Sequence, residues 1–415
     1  MDKVRFGIIG LGQRGFSIMK SVILNMDDAE VTAVCDFYQD RVEIASDKVK
    51  EIKGNVPFGT TDYKELLNRD DVDAVYVACS WEYHTPVSID ALHAGKAVAM
   101  EVGGAYSIDE LFALVKAQEE TGTPFMFMEN CCFNRKELLV TNLARHGLFG
   151  EIVHSSGSYT HDIREEIASG NIIRHYRLRN YTSRNCENYP THELGPIAKL
   201  FNINRGNRMV SLVSVASKAK GLEQFIKDRP DLVEKDPTLA GRRFSQGDIV
   251  HTIITCAGGE TILLKLDTSL PSKGSREWVI RGTKGGYTEY INAVHLDDGN
   301  YEEGYRTFAE KNTDNVTKYE QDYLHPMWLN MTEEQKKSGH GGMDYFEFRS
   351  FIEALKAGAE MPVDVYDAAA WMAITTLSEQ SVAEGGCPKA IPDFTGGKWL
   401  IREPMDVVEF PKVNK

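Results

Sequence analysis

The feature that most constrains the fold is a glycine-rich segment, Gly10-Leu11-Gly12-Gln13-Arg14-Gly15, which directly follows a strand-like run from Val4 to Ile9. Helical character begins after it, so the segment joins a strand to a helix. In such a turn the first glycine permits the tight bend, the second lets the backbone approach a pyrophosphate, and the third lets helix and strand pack closely. The helix N-terminus then faces the anion. We therefore predict that Gly10, Gly12, Gln13, Arg14 and Gly15 bind a dinucleotide; the alternative is a structural glycine turn.

Asp36 ends the second strand-like run, at the distance from Gly15 where a carboxylate accepts hydrogen bonds from the adenosine ribose. The same carboxylate disfavours a 2′-phosphate, because two such charges about 4 Å apart repel by about 4 kcal/mol at an effective dielectric constant of about 20. Residues 37–40 supply no cation, although Arg41 offers a partner for a phosphate. NAD is therefore predicted in preference to NADP.

Strand-like and helix-like segments alternate through the first third of the chain. The strand-like runs are too uniformly apolar to face water on one side, which is typical of parallel strands covered on both faces. They are Val4 to Ile9, Val31 to Cys35, Val72 to Ala78, Ala97 to Met100 and Pro124 to Met128. The helical stretches are Phe16 to Asn25, Asp40 to Lys53, Tyr83 to Ala94 and Ile108 to Thr121. This order predicts an α/β fold, a Rossmann domain with a doubly wound parallel sheet, over residues 1–130.

The pattern changes after about residue 130. A helix from Arg135 to His146 precedes longer strands in which apolar and polar residues alternate: Val210 to Ser217, Ile249 to Cys256, Thr261 to Asp267 and Glu277 to Arg281. We predict that residues 131–415 form an α+β domain with an open, mainly antiparallel sheet, for substrate binding and dimerisation. Two helical stretches, 344–356 and 365–384, have apolar faces that suit packing on either domain.

Composition excludes several classes of protein. The formal net charge of −14 would repel a nucleic acid, and no apolar run approaches the roughly 20 residues of a membrane helix. The seven cysteines are an odd number without a C-x-x-C pair, which suits a reducing compartment. With no signal-peptide pattern at the start, we predict a cytoplasmic protein, or a periplasmic one if a leader has been removed.

Polar side chains also follow the fourth and fifth predicted strands. The first group is Cys79-Ser80-Trp81-Glu82-Tyr83-His84-Thr85-Pro86, and the second begins at Glu101. A doubly wound sheet binds its ligand at the carboxyl ends of its strands, so we predict Trp81, His84 and Glu101 at the cofactor. The alternative for His84 is a helix cap or a core histidine.

These motifs resemble a known family. The glycine turn, Trp-x-x-His-x-Pro and Glu101 are similar to the glucose-fructose oxidoreductase and inositol dehydrogenase superfamily, which pairs a Rossmann domain with an open-sheet domain. Five further motifs, taken in order, resemble the NAD-dependent glycoside hydrolases of family 109, typified by α-N-acetylgalactosaminidase, over nearly the whole chain. They are Met128-Glu129-Asn130, Gly157-Ser158-Tyr159-Thr160-His161-Asp162, Tyr189-Pro190-Thr191-His192, Asn202-Ile203-Asn204-Arg205-Gly206 and Gly339-His340-Gly341-Gly342-Met343-Asp344.

Departures from the pattern are informative as well. Where the dehydrogenases of the superfamily commonly have Glu-Lys-Pro, this chain has Glu101-Val102-Gly103, and it lacks the histidine of their Asp-x-Gly-x-His motif. Both differences disfavour an ordinary sugar dehydrogenase. Cys186 and Glu193 stand where the hydrolases usually have glycines, so the identity of the sugar is less constrained than the reaction.

The resemblance implies hydrolysis without net redox. The sugar is oxidised transiently at C3, the C1 substituent is eliminated as C2 loses a proton, water adds, and the C3 ketone is reduced again. The resemblance assigns the catalytic roles to His192, Tyr159, Tyr189 and Glu129. His192 suits the C3 proton because an imidazole has a pKa near 6.5, whereas Tyr159, for the C2 proton, needs a neighbouring cation, for which NAD itself is a candidate.

Each of these side chains has a structural alternative. His192 and Tyr159 suit buried positions without a catalytic role, and Glu129 suits a solvated carboxylate at the end of a strand. The resemblance makes His340 and Arg184 sugar contacts. We predict no metal, since the spacing of His154, His161, Asp162, His175 and His192 fits no standard ligand pattern.

The sequence therefore predicts an NAD-dependent glycoside hydrolase that acts on a small-molecule glycoside and forms a homodimer, with no nucleic-acid or membrane partner. An NAD-dependent sugar dehydrogenase of the same superfamily is the alternative. A non-catalytic NAD-binding protein is a third reading, which the retained Tyr159, Tyr189 and His192 disfavour.

Overall fold

The computed structural model describes residues 2–297, 299 and 312–410. Within them the chain divides into two compact units, each assembled from separated stretches of sequence. The first unit comprises Met1–Phe133, Asn330–Ala373 and Asp406–Val408, and the second comprises Asn134–Leu329, Ile374–Met405 and Glu409–Lys415.

A six-stranded parallel sheet forms the centre of the first unit. Its strands are β1 (Val4–Ile9), β2 (Ala29–Cys35), β3 (Phe58–Thr60), β4 (Ala74–Val77), β5 (Ala97–Glu101) and β6 (Phe125–Met128), in the order β3-β2-β1-β4-β5-β6. Every residue of β4, β5 and β6 is buried. The doubly wound parallel sheet is therefore confirmed, and its order reverses between β1 and β4, where such sheets bind ligands.

The helices of this unit come from its amino-terminal stretch and from residues after 330. They are Gln13–Ser21, Gln39–Lys53, Tyr63–Leu67, Trp81–His93, Ile108–Thr121, Glu333–Lys337 and Met343–Ala357, with Val365–Ala383 beginning in this unit. Their ends follow local rules. Ser107 and Glu110 form a reciprocal capping box before Ile108–Thr121, and Gly122 ends that helix in a left-handed conformation.

The second unit contains a nine-stranded sheet. Its strands are β7 (Ile152–Thr160), β8 (Met209–Ala216), β9 (Ile249–Cys256), β10 (Thr261–Asp267), β11 (Val279–Gly282), β12 (Gly285–Thr288), β13 (Ala293–Leu296), β14 (Thr313–Asn315) and β15 (Lys389–Ala390). Their order is β14-β13-β12-β11-β7-β10-β9-β8-β15. All neighbours are antiparallel except β7 and β10, so the mainly antiparallel sheet is confirmed.

Nine helices lie wholly in the described part of this unit: Arg135–Arg145, Arg164–Ala168, Gly170–Ile173, Arg177–Ser183, Thr191–Leu200, Gly221–Lys227, Pro230–Lys235, Glu320–Tyr323 and Pro326–Leu329. Thr191–Leu200 packs closely on β7 because Gly157 has no side chain. A Cβ at Gly157 would lie 2.9 Å from the Cβ of Glu193 and 3.2 Å from Cδ1 of Ile197. In the described part of the chain, no helix is both long and apolar enough to span a bilayer.

Candidate functional site

The glycine turn has the geometry that a dinucleotide requires. Gly10 has φ of +97°, and a Cβ there would lie 2.4 Å from the backbone nitrogen of Cys79. A Cβ on Gly15 would fall 1.9 Å from the carbonyl oxygen of Gly10. Gly12 caps the helix Gln13–Ser21 without a side chain, and a Cβ on it would meet only the Arg41 guanidinium, at 3.7 Å. The helix N-terminus is thus open to an anion, with Gln13 exposed as its first residue.

Asp36 is fixed beside this turn, at the end of β2. One of its carboxylate oxygens accepts a hydrogen bond from the backbone N–H of Leu11 at 2.7 Å, and the other accepts from that of Tyr38 at 3.0 Å. Arg41 lies 3.6 Å from the first oxygen. A carboxylate at the ribose position, next to an open helix N-terminus, fits NAD. Arg41, which the sequence analysis considered as a partner for a phosphate, pairs with Asp36 instead.

Trp81 and His84 lie in the first turn of the helix Trp81–His93, and both are buried. Nε2 of His84 lies 2.9 Å from the carbonyl oxygen of Cys79, to which it donates when that nitrogen carries the proton. Burial lowers the pKa of His84, which favours the neutral ring. Its Nδ1 has no hydrogen-bond partner among the described residues. His84 is therefore a buried histidine whose Nδ1 can still accept a hydrogen bond. Gly103 packs against Trp81, whose Cδ1 would lie 2.5 Å from a Cβ at that position.

Arg14 is held between two buried carboxylates. Its Nε donates to Glu101 at 2.7 Å, and its two Nη atoms donate to Asp344 at 3.0 and 3.1 Å. The hydroxyl of Tyr76 also donates to Glu101, at 2.6 Å. This guanidinium holds the pKa of Asp344 well below its usual range. Arg14 and Glu101, both predicted at the cofactor, therefore form a fixed charge pair at the carboxyl end of the parallel sheet.

His340 joins the same group of side chains in the first unit. Its Nδ1 lies 2.9 Å from Oδ2 of Asp344 and 3.3 Å from Arg14, while its side chain is half exposed. The side-chain amide of Asn130 donates to Asp344 at 2.7 Å. Glu129 is fully buried, and one of its oxygens accepts from the backbone N–H of Cys131 at 3.1 Å. The alternative of a solvated carboxylate for Glu129 is therefore wrong.

The second unit brings together three residues that the sequence placed in catalytic roles. Tyr159 is the penultimate residue of β7, Tyr189 precedes the helix Thr191–Leu200, and His192 is that helix's second residue. The ring centroids of Tyr159 and Tyr189 are 4.9 Å apart, and those of Tyr159 and His192 are 5.5 Å apart. Tyr189 meets His192 edge to face at 4.8 Å. We call these three side chains the aromatic triad.

Arg177 and His161 complete the surroundings of the triad, and sequence reasoning missed both roles. The Arg177 guanidinium lies over the ring of Tyr189, 4.9 Å from its centroid, and its Nε pairs with Glu166 at 2.8 Å. Burial raises the pKa of Tyr159 to about 12, and the nearby Arg177 opposes that rise. The Tyr159 hydroxyl lies 3.3 Å from Nδ1 of His161, whose pKa burial lowers. Arg177 is therefore a cation near Tyr159, but burial outweighs its effect on the pKa of the phenol.

Arg184 is engaged by another residue of the second unit. It is buried, and its Nε and Nη2 donate to one oxygen of Glu379 at 3.0 and 2.6 Å. A sugar bound by this guanidinium would have to compete with Glu379. The predicted sugar contact of Arg184 stays a prediction, and the ion pair makes it costly.

Two protein-family models match successive parts of the chain. Residues 4–128 match the model of the oxidoreductase family with an NAD-binding Rossmann fold. Residues 133–401 match the model of the glycosyl hydrolase 109 C-terminal domain. Together the two models cover nearly the entire described chain.

Relatives and solved structures agree with these matches. A glycosyl hydrolase family 109 protein of Stenotrophomonas maltophilia is 37% identical over 97% of this chain and 91% of its own length. An alpha-N-acetylgalactosaminidase of Tannerella forsythia is 35% identical over 97% of this chain and 88% of its own length. Levoglucosan dehydrogenase, solved with NADH and L-sorbose, has the same fold, with a TM-score of 0.70 at 16% identity over 95% of this chain and 100% of its own.

Proposed function

The chain belongs to glycosyl hydrolase family 109, a glycosidase family that uses NAD, and from that premise we propose that it cleaves α-N-acetylgalactosaminides or closely related glycosides. The observation that carries the substrate is the 35% identity to the Tannerella forsythia alpha-N-acetylgalactosaminidase over nearly the full length of both chains. The aromatic triad supports the same class of substrate, because aromatic rings and hydroxyl donors suit the apolar and polar faces of a sugar.

The first unit supplies the residues that would hold NAD. Backbone N–H groups at the open N-terminus of Gln13–Ser21 would bind the pyrophosphate, and Asp36 would accept hydrogen bonds from the ribose hydroxyls. Glu101, fixed by Arg14 at the end of β5, and His84, in the helix that follows β4, would serve the nicotinamide half. When bound, NAD supplies a reversible hydride acceptor for the hydrogen at C3 of the sugar.

The second unit supplies the groups that move protons. His192 takes the proton of the C3 hydroxyl and returns it at the end of the cycle. Tyr159 takes the proton at C2, which the neighbouring carbonyl group of the oxidised sugar makes acidic. Arg177 stabilises the resulting tyrosinate, because an opposite charge nearby favours the ionised phenol. Tyr189 orients His192 by its edge-to-face contact. Glu129, which belongs to the first unit, is the group that would assist departure of the C1 substituent.

The test is a panel of chromogenic α- and β-glycosides, incubated with the purified protein with and without added NAD. Aglycone release and absorbance of NADH are followed together. Aglycone release from α-N-acetylgalactosaminides without net NADH supports the proposal. NADH accumulation from free sugars, with no aglycone released, identifies a sugar dehydrogenase and overturns it.

We also propose that two copies associate through the open face of the nine-stranded sheet. Ile253 in β9 and Val215 in β8 are both 53% exposed on that face. Ile253 is in register with Val213 on one side and Leu263 on the other, so apolar residues run across three strands. Light scattering is expected to give twice 46.5 kDa, and the variant Ile253→Lys half that mass. A monomer for the unaltered protein contradicts the proposal.

For location, we propose the cytoplasm, from the odd number of cysteines without a C-x-x-C pair. Cell fractionation tests it, and recovery of the protein in a periplasmic extract contradicts it.

A further inference from the structure

His192 lines a small cavity in the second unit. The cavity lies between the helices Arg135–Arg145 and Thr191–Leu200 and the strand β7. Two carboxyl groups line it together with His192: those of Glu137 and Glu193. Glu193 fits there because Gly157 of β7, directly opposite, has no side chain.

Both carboxyl groups are almost completely buried, with exposures of 7% for Glu137 and 3% for Glu193. The cation that lines the same cavity is Arg276, whose Nε lies 3.9 Å from Oε1 of Glu137. Burial makes Glu137 costly to ionise, because a buried carboxylate loses its hydration, and Arg276 opposes this effect without cancelling it.

The charged groups around Glu137 act in both directions. Burial raises the pKa of Glu137 to about 7, and Glu289 raises it further, whereas Arg276 and Lys136 oppose the rise. Tyr287, which also faces this group, has a pKa of its own raised by burial and stays protonated at neutral pH. Glu137 therefore exchanges a proton in the range where an imidazole also does.

We propose that Glu137 stores the proton that His192 removes from the sugar. The inference rests on the proposed role of His192. The O–H bond of the C3 hydroxyl breaks as an N–H bond forms on His192. That N–H bond then breaks as an O–H bond forms on the Glu137 carboxylate, and the two steps reverse when the hydroxyl is restored.

Electrostatics favours this transfer. An imidazolium and a carboxylate that share a poorly hydrated cavity are replaced by two neutral groups, which removes the cost of holding both charges out of water. His192 is returned to its neutral form between the two proton transfers on the substrate. Glu137 acts through His192 and does not touch the sugar.

The experiment uses Glu137→Gln, which preserves the size of the side chain and cannot take up a proton. In the unaltered enzyme kcat is expected to rise with pH through about 7. In the variant kcat falls at least tenfold, KM stays within twofold, and the contribution of Glu137 to the rise disappears, so that only the rise of an imidazole base is left, at lower pH. Glu187→Gln, at another fully buried glutamate of the second unit that does not line the cavity, is the matched control and keeps the rise.

A second measurement does not depend on turnover. The protonated carboxyl group of Glu137 should give an infrared carbonyl band that titrates near pH 7 in the unaltered enzyme. This titrating band should be missing in Glu137→Gln. If Glu137→Gln fails to fold, Glu137→Asp serves instead and should shift both the band and the pH profile. Absence of the band, or an unchanged pH profile with full activity, overturns the proton store while leaving the hydrolase intact. The hydrolase proposal itself fails separately, if no glycoside of the panel is cleaved.

Discussion

In the first unit, a guanidinium holds the pKa of the buried Asp344 well below its usual range, whereas in the second unit burial raises the pKa of Glu137 to about 7. Arg14 donates to both Glu101 and Asp344, and the pKa of Asp344 is held well below its usual range. Arg276 lies 3.9 Å from Glu137, and burial nevertheless raises the pKa of Glu137 to about 7. Fixed charges suit the binding of a cofactor, and groups that change charge easily suit proton transfer. Asp344 and Glu137 thus differ in protonation as cofactor binding and proton transfer require.

The largest effect that would sharpen this comparison is expected at His192. His192→Ala removes the group that takes the C3 proton, so kcat should fall by about 10²- to 10⁴-fold, the usual contribution of a general base. The NAD content of the purified variant should be unchanged, because the residues that would hold NAD lie in the first unit. Glycoside cleavage at the unaltered rate would break the assignment of proton transfer to the second unit.

The fixed charges of the first unit are tested by Asp344→Ala. This change leaves the partly buried guanidinium of Arg14 with one carboxylate fewer, and loss of one member of a fully buried pair, which costs about 3–5 kcal/mol, is the upper limit for the effect. Chemical denaturation measures the loss. Glu353→Ala on the same helix removes an exposed partner of Arg349 and should cost no more than about 1 kcal/mol. Equal effects of the two variants would show that the Arg14 cluster contributes little stability.

Glu137→Gln should change stability in a pH-dependent way. The pKa of this carboxyl group is about 7 in the folded protein and about 4.5 otherwise, so the folded form loses stability as pH rises through 7. The variant lacks that loss. At pH 8 its free energy of unfolding should exceed that of the unaltered protein by up to about 3 kcal/mol, and at pH 4 the difference should be much smaller. Denaturation at both pH values measures it, and a pH-independent difference would contradict the raised pKa.

The smallest expected effect concerns the choice of cofactor in the first unit. Asp36→Ser removes the carboxylate that opposes a 2′-phosphate and releases Arg41, which lies 3.6 Å from it. Affinity for NADP should rise about tenfold, or about 1.4 kcal/mol, as measured by calorimetric titration of cofactor-free protein. Asp40→Ser, at an exposed neighbouring position, should leave the preference unchanged. An unaltered preference in Asp36→Ser would show that the carboxylate does not select NAD.

Much of the fold was predictable from local pattern. The strand Val4–Ile9 and the helix Ile108–Thr121 have the predicted bounds, the first because its apolar run is sharply bounded and the second because a capping box and a glycine mark its ends. The strand Phe58–Thr60 was missed because three residues, one of them glycine, carry no clear periodicity. The first helix begins at Gln13 and ends at Ser21, earlier at both ends than the predicted Phe16 to Asn25, because Gly12 itself caps it.

The site was predictable only in part. The family resemblance predicted the three residues of the aromatic triad, because they lie in its motifs. Sequence spacing could not predict that Arg177 and His161 contact the triad. Those contacts depend on how separate helices and strands pack. The partner of Arg14 was equally hidden, since Asp344 lies 330 residues further along the chain.

That separation has a consequence for how the protein is made. A ribosome adds about 5–20 residues per second, so roughly 15 to 65 seconds pass between synthesis of Arg14 and synthesis of Asp344. During that interval the nucleotide-binding half lacks both the helix that carries Asp344 and the carboxylate that completes its ion pair. The amino-terminal half, although first to emerge, is therefore among the later parts of the protein to reach its final form.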